Sequence, residues 1–373
     1  MLRTVLIILL VGHGLVHLLG VAKAFQWAEV PTLTRPITRG AGIGWGVAAL
    51  LFLLTALSFW RHHERWWMVA LVAAVLSQVL IWSYGRQAAA GTVANAMVMV
   101  AVVLAVLVWR FKQEYRSLAS EALSHAANVP VHVITEADLL RLPQPVQRYL
   151  RAAGVVGRPR PRSMRIRFRG EIRGFDGPWM PFTTVQVNRF DVPERHFWMD
   201  ATMKGLPTKG LHSYKDGSAR MTVKPLGAFS AVDLYGPVLD TSETVTWFND
   251  LCLMAPGALI DPRITWLPLG DRSARATFMH RGVTVSADLV FDTQDRLVDF
   301  ISDDRSALMP DGTFERMRFS TPCRSYSVEE GIRVARYGEA VYHRPDGPFT
   351  YGRFTLVELT YDPQVDMDHT STR

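Results

Sequence analysis

His13 and His17 lie four residues apart inside the first of several long apolar runs, so on a helix their imidazoles share one face. Such a pair has the chemistry to ligate a metal or haem, to relay protons, or to hydrogen-bond with Ser77, Gln78 or Asn95 on neighbouring runs. Ionisable groups in lipid are costly and normally face a protein interior. No third His, Cys, Asp or Glu within these runs completes a metal site. Gly12, Gly14 and Gly20 stand beside the pair, where helices can approach closely, so the favoured reading is neutral histidines acting as packing and hydrogen-bonding glue.

Other chemically capable groups are weaker. His62, His63 and Glu64 form a polar cluster in a short link with nothing to fix its geometry, and read as solvated. Asp288, Asp292, Asp295, Asp299, Asp303 and Asp304 are dense, but lack the glycine-centred loop that calcium sites use, and read as turn and strand-face carboxylates. Cys252 and Cys323 have no CxxC or Cys/His surroundings and read as buried thiols. No GxSxG elbow, Walker loop, HExxH or dinucleotide fingerprint occurs, so the residues support neither an enzyme nor a cofactor.

Positioning these groups are two regions of different solvent. Apolar runs at 4–25, 41–60, 66–84 and 92–109 are each long enough to cross a hydrocarbon core of about 30 Å as helices, which predicts an up-and-down bundle of four transmembrane helices. Trp60, Trp66, Trp67, Trp82, Tyr84 and Trp109 sit at run ends as expected of interfacial anchors. Four spans place the N-terminus and the following domain on one side. Arg3, Arg61, Arg65, Arg110, Lys112 and Arg116 flank that side against Lys23, Arg35, Arg39 and Arg86 on the other, which favours the cytoplasm. Residues 1–118 hold ten Lys or Arg and three Glu, accounting for the whole net charge of +7, and the remainder is formally neutral. That balance argues against nucleic acid as a partner.

After residue 110 the pattern changes. Residues 116–127 read as a helical continuation or stalk, and 135–154 as helix broken by Pro143 and Pro145, with Thr135 and Asp138 at capping-box spacing. Met164, Ile166, Phe168 and Ile172 then alternate with Arg165, Arg167, Arg169 and Arg173, a half-buried strand whose arginine comb is solvated. Val283, Val285, Ala287, Leu289 and Phe291 alternate similarly. Asp-Gly pairs at 176/177, 216/217, 311/312 and 346/347 signal hairpin turns. Candidate strands cover 163–173, 179–190, 195–204, 210–224, 272–280, 282–292, 296–303, 313–321, 332–343 and 349–361. Between them Trp247, Phe248, Leu251, Cys252 and Ala255 share helical spacing, predicting an amphipathic helix over about 240–254 that starts at an Asp240/Glu243 box and packs on the sheet or lids a cavity.

Leu142-Pro143-Gln144-Pro145-Val146-Gln147-Arg148-Tyr149-Leu150 followed by Gly154 resembles the opening motif of a bacterial domain family of unknown function. Asp216-Gly217 with Met221, the 247–256 helix and the 274–304 region continue the match. The segments Gly12 to Gly20 and Gly91 to Asn95 are similar to a four-span region that some members carry in front. The resemblance implies a curved antiparallel sheet like the lipoprotein-carrier (LolA/LolB-like) half-barrels, and brings no catalytic residue.

The expected architecture is therefore a membrane-embedded α-helical bundle (1–112), a helical stalk and linker (113–160), and an α+β, mainly β domain (161–373) built as a curved antiparallel sheet or half-barrel with a short amphipathic helix packed on it. The expected role is a membrane-anchored binding protein that holds a lipid or other apolar ligand inside the sheet, with Phe168, Met199, Met203, Trp247, Phe248 and Phe291 as candidate contacts. The alternative is a redox, metal or transport component centred on His13 and His17 with Gln78 and Asn95, the β domain serving as a docking or regulatory module.

Overall fold

The computed structural model describes residues 2–31, 33–175 and 177–364, and the chain divides into two compact units, Met1–Phe111 and Lys112–Arg373. Four apolar helices dominate the first: α1 (Leu2–Ala24), α2 (Arg39–Trp60), α3 (Trp66–Tyr84) and the leading part of α4 (Ala90–Ala127). By length and composition all four are compatible with membrane insertion. Thr38 caps α2 by accepting from the Ala41 N–H at 3.2 Å. Along α1 the buried positions are Leu10, His13, Gly14, His17, Gly20 and Ala24, a single stripe at helical spacing.

Glycine matters where α1 meets α2. A Cβ on Gly20 would lie 2.6 Å from the Trp45 ring, and one on Gly14 would lie 3.1 Å from Phe52 Cβ. Gly12 differs from expectation, since a Cβ there would meet nothing within 4 Å. Trp66 and Tyr84 also differ from the anchor reading: both are buried, packing on Phe59 and Trp45 respectively, whereas Trp60 and Trp82 are exposed.

The second unit opens with the tail of α4, where Tyr115, Ala119, Ala122, Leu123 and Ala126 are buried. Tyr115 packs on Trp198, and Glu121 pairs with Lys215 at 2.8 Å, so this stretch covers the outer face of the sheet instead of standing off as a stalk. Then come α5 (Glu136–Leu139) and α6 (Gln144–Ala153), separated at Pro143. The Thr135/Asp138 capping box forms, and Gly154 ends α6 at φ 82°, a left-handed conformation that suits glycine.

The strands are β1 (Ser163–Ile172), β2 (Met180–Arg189), β3 (Glu194–Met203), β4 (Leu206–Lys215), β5 (Ser218–Pro225), β6 (Val232–Tyr235), β7 (Ile264–Gly270), β8 (Ser273–His280), β9 (Val283–Phe291), β10 (Leu297–Ser302), β11 (Ser306–Leu308), β12 (Phe314–Arg316), β13 (Phe319–Ser320), β14 (Cys323–Glu329), β15 (Ile332–Arg344) and β16 (Gly347–Tyr361). One antiparallel sheet runs in the order β6-β5-β4-β3-β2-β1-β16-β15-β13-β10-β9-β8-β7, with β14 added to β15, and it does not close into a barrel. A separate β11–β12 hairpin lies off it. At Gly170 a Cβ would sit 1.8 Å from the Arg353 carbonyl oxygen, so the β1–β16 pairing there requires glycine.

Several sequence expectations are refined. The 210–224 run is two strands, because Asp216 and Gly217 take positive φ (54° and 83°) and turn the chain. The 313–321 run is likewise split into β12 and β13. Asp176, half of one expected turn, lies outside the described residues. Strands β6, β7, β11 and β14 were not anticipated.

Helix α7 (Pro237–Met254) starts a turn earlier than expected. Asp240 does not box its N-terminus but accepts from the Ala219 N–H on β5 at 2.6 Å. Trp247, Phe248, Leu251 and Cys252 are fully buried in a closed core with Phe278, Phe300, Ala274 and Leu289. Arg167 of the arginine comb pairs with Glu358, while Arg173 stacks on Trp179 and Phe349. The dense aspartates are held locally: Asp288 by Arg275, Asp292 by Arg296, Asp295 by Arg148 and Asp304 by Arg316.

Candidate functional site

On the inner side of the sheet, across α7 from the closed core, lies a partly open cavity of about 160 Å³. By the same measure a single water needs roughly 10–15 Å³, so the space is an order of magnitude too large to be a packing defect. One wall is apolar: Phe168 and Ile172 from β1, Phe197 and Met199 from β3, Ala340 from β15 and Phe354 from β16. The opposite wall comes from α7 and the neighbouring strands, and it is polar.

Helix periodicity explains the second wall. Glu243, Thr246, Asn249, Asp250, Leu253 and Met254 recur every three or four residues on α7 and all line the cavity, while Trp247, Phe248 and Leu251 face the core. The helix is thus buried on two faces, which the amphipathic reading did not anticipate. Strand periodicity completes the arrangement: Arg195, Phe197 and Met199 share a parity on β3 and point inward, and Trp198 points to α4.

Arg195 is buried and fully engaged. Its Nε donates to Asp250 at 2.8 Å, its Nη1 to Glu243 at 3.3 Å and its Nη2 to Gln186 at 3.1 Å. Asp250 also accepts from Gln186 and Asn188. His212 approaches Glu243 at 4.0 Å, yet burial holds its imidazole down at about 4, with Glu243 opposing and Arg195 and Arg305 assisting, so it is neutral at pH 7.

Arg305 is held differently. Its guanidinium lies 4.3 Å from the Phe319 ring centroid and 5.7 Å from those of Tyr342 and Tyr351, and Nη1 donates to the Tyr351 hydroxyl at 2.7 Å. Among the described residues no carboxylate pairs with it within 4.0 Å, its Nε is buried without a partner, and none accepts a hydrogen bond from Nη2. Asn249 Oδ1 and Thr321 Oγ1, on two more lining residues, are likewise buried and unpaired. Cys323 also lines the cavity, but burial pushes its thiol up, as it does that of Cys252, which disfavours a nucleophilic thiolate at either.

Of the residues singled out from sequence, Phe168 and Met199 line this cavity. Trp247, Phe248 and Phe291 sit in the closed core, where Phe291 packs on Tyr149, and Met203 ends β3 away from the lining. Arg195, His212, Glu243, Asp250 and Arg305 were missed, although the parity of Arg195 with Phe197 and Met199 would have placed it inward.

The helical polar residues form their own cluster. His13 Nε2 meets Asn95 Oδ1 at 2.9 Å, and His17 Nε2 meets Ser77 Oγ at 2.8 Å. His17 Nδ1 faces the His13 carbonyl oxygen at 2.7 Å, which can only accept, so that nitrogen donates. Asn95 Nδ2 donates to Ser77 and to Gln78 Oε1, both at 3.0 Å, and Gln78 passes a bond on to Thr92. Both nitrogens of His17 are therefore occupied, and among the described residues no group of three or more His, Cys, Asp or Glu is arranged to hold a metal ion.

No curated protein matches the chain. Among solved structures it is similar to a LolA superfamily protein from Nitrosomonas europaea, at 10% identity and a TM-score of 0.34, covering 58% of this chain and 93% of that one. It is also similar to a beta-barrel-like protein of domain of unknown function DUF1849 from Brucella abortus, at 11% identity and a TM-score of 0.17, covering 54% and 98%. Likenesses this distant transfer no ligand. A family model, by contrast, matches residues 132–354, and the chain belongs to the family of unknown function DUF6544.

Proposed function

We propose that this protein is a membrane-anchored binding protein whose β domain holds an apolar or amphiphilic molecule, such as a lipid, in the cavity between α7 and the inner face of strands β1 to β4, β15 and β16. The observation that carries this reading is the cavity itself: about 160 Å³ with an apolar wall of Phe168, Ile172, Phe197, Met199 and Phe354, beside a core that is closely packed. Methionine and phenylalanine side chains suit a flexible chain, and burying an acyl segment there contributes about 0.8 kcal/mol per CH₂. Titration of the full chain in a neutral detergent with dodecanol tests it. Saturable binding of one molecule per chain is expected, and the absence of saturable binding contradicts the reading.

For the helical cluster we propose a structural role. His13 and His17 tie α1 to α3 and α4 through Ser77 and Asn95, and each of these side chains has at least one partner within the cluster. The alternative redox, metal or transport role requires a free ligating nitrogen or a proton path. A purified protein that shows visible absorbance or stoichiometric metal, lost in His13→Leu/His17→Leu, would establish that alternative. On charge asymmetry we place the β domain on the cytoplasmic side, and a C-terminal fusion to an export-dependent reporter should be inactive; an active fusion reverses the orientation.

A further inference from the structure

We infer that the molecule held in this cavity carries an acidic head group, a carboxylate or phosphate monoester, and that Arg305 is the residue that recognises it. The inference rests on the cavity reading above and adds the chemistry of the ligand's polar end. A guanidinium offers five donors in a planar fork and is normally matched by a carboxylate or phosphate when removed from water. Arg195, a few strands away on the same lining, meets that rule with Asp250 and Glu243. Arg305 does not: one donor is spent on a phenol, three rings stack around the plane, and Nε and Nη2 have no partner among the described residues.

The charges facing Arg305 leave room for an anion. Glu243 is the carboxylate whose field reaches it, but that group already shares Arg195 with Asp250. Glu339, also on the lining, is taken by Arg324, by the Tyr337 hydroxyl and by Thr350. Arg336 stands exposed on the lining, with no hydrogen bond or ion pair among the described residues, and adds a second cation. An acidic head group placed against Nη2 forms charge-assisted bonds, which are roughly twice as strong as neutral ones, while its tail extends over Phe168, Phe197 and Phe354.

Calorimetric titration of the full chain in a maltoside detergent, with dodecanol, dodecanoate and dodecyl phosphate as probes and empty micelles as blank, tests this. The acidic probes should bind at least about tenfold tighter than dodecanol, and whichever of the two is tighter identifies the carboxylate or the phosphate as the matching head. Arg305→Gln should erase the preference, and a thermal-unfolding midpoint close to that of the parent chain shows that the variant is folded. Arg305→Lys should retain part of it. Equal affinity for all three probes, or a preference that survives Arg305→Gln, overturns the inference while leaving the cavity reading intact. Failure of every probe to bind overturns both.

Discussion

Two clusters of buried polar side chains among the described residues are finished to different degrees. Between the apolar helices, His13, His17, Ser77, Gln78 and Asn95 satisfy one another within hydrogen-bond distance. On the cavity wall, Arg195, Gln186, Asn188, Glu243 and Asp250 do the same, but Arg305 Nε, Asn249 Oδ1 and Thr321 Oγ1 are left without partners. Saturation is the signature of a structural network, since an unpaired buried polar group costs about 1–3 kcal/mol and a folded chain rarely keeps several together. Arg305 Nη2, which makes no bond among the described residues and is not enclosed, is where a ligand in the open space would add one.

The sharpest way to break this contrast is to remove one arginine of each kind. Arg195→Met leaves the buried Glu243 and the half-buried Asp250 without their shared cation and should destabilise the chain by about 3–5 kcal/mol in denaturant unfolding. Arg305→Met removes a cation that has no carboxylate partner and should cost less than about 1 kcal/mol, or stabilise. Equal losses in the two variants would show that Arg305 is as fully compensated as Arg195.

The helical cluster should respond as structure does. His17→Leu removes the acceptor of the Ser77 O–H, leaving Ser77 Oγ its bond from Asn95, and should cost about 1–2 kcal/mol in thermal unfolding, with dodecanol binding to the β domain unchanged. A loss of binding there would mean that the two clusters are coupled.

Acid should separate two buried groups of the β domain in opposite directions. His212 sits at about 4 when folded against an ordinary 6.5, because burial disfavours its charge. The unfolded chain therefore binds the extra proton between those values, and stability present above pH 6.5 is lost towards pH 4, by on the order of 1–3 kcal/mol. Asp299 is raised from 3.8 to about 6 by burial, against hydrogen bonds from Phe300 and Thr321, so its folded form takes the proton first and stability is gained on acidification. In His212→Gln the acid loss should shrink or reverse as the Asp299 contribution emerges, and an unchanged stability profile would contradict the His212 assignment. The smallest effect concerns space: Ala340→Phe fills the cavity from β15 and should change stability by less than about 1 kcal/mol while weakening dodecanol at least tenfold.

Much of the fold was legible in the sequence because its signals are local. Four apolar runs, the Thr135/Asp138 box and the Asp216-Gly217 turn each act through neighbouring residues. Strand β7 escaped because it carries Pro268 and exposes Leu267 and Leu269, features tolerated at the sheet edge it occupies. The site was less legible for a physical reason. Alternation assigns the polar parity of a strand to water, yet on β2, β3 and β4 the inward parity carries Gln186, Asn188, Arg195 and His212, which face carboxylates from a helix 31 to 64 residues away in sequence. Nothing local announces that Glu243 and Asp250, seven apart on α7 and one turn either side of Trp247, would line a cavity and pair with an arginine from β3.

Native mass spectrometry of the full chain, extracted from its membrane in mild detergent, asks the central question most directly. The account predicts one non-covalently bound acyl-chain molecule per protein, released on activation and absent from Ala340→Phe. A wild-type chain that flies empty and stays empty when dodecanol and dodecanoate are added would show the cavity to be a void, and the binding account would be wrong.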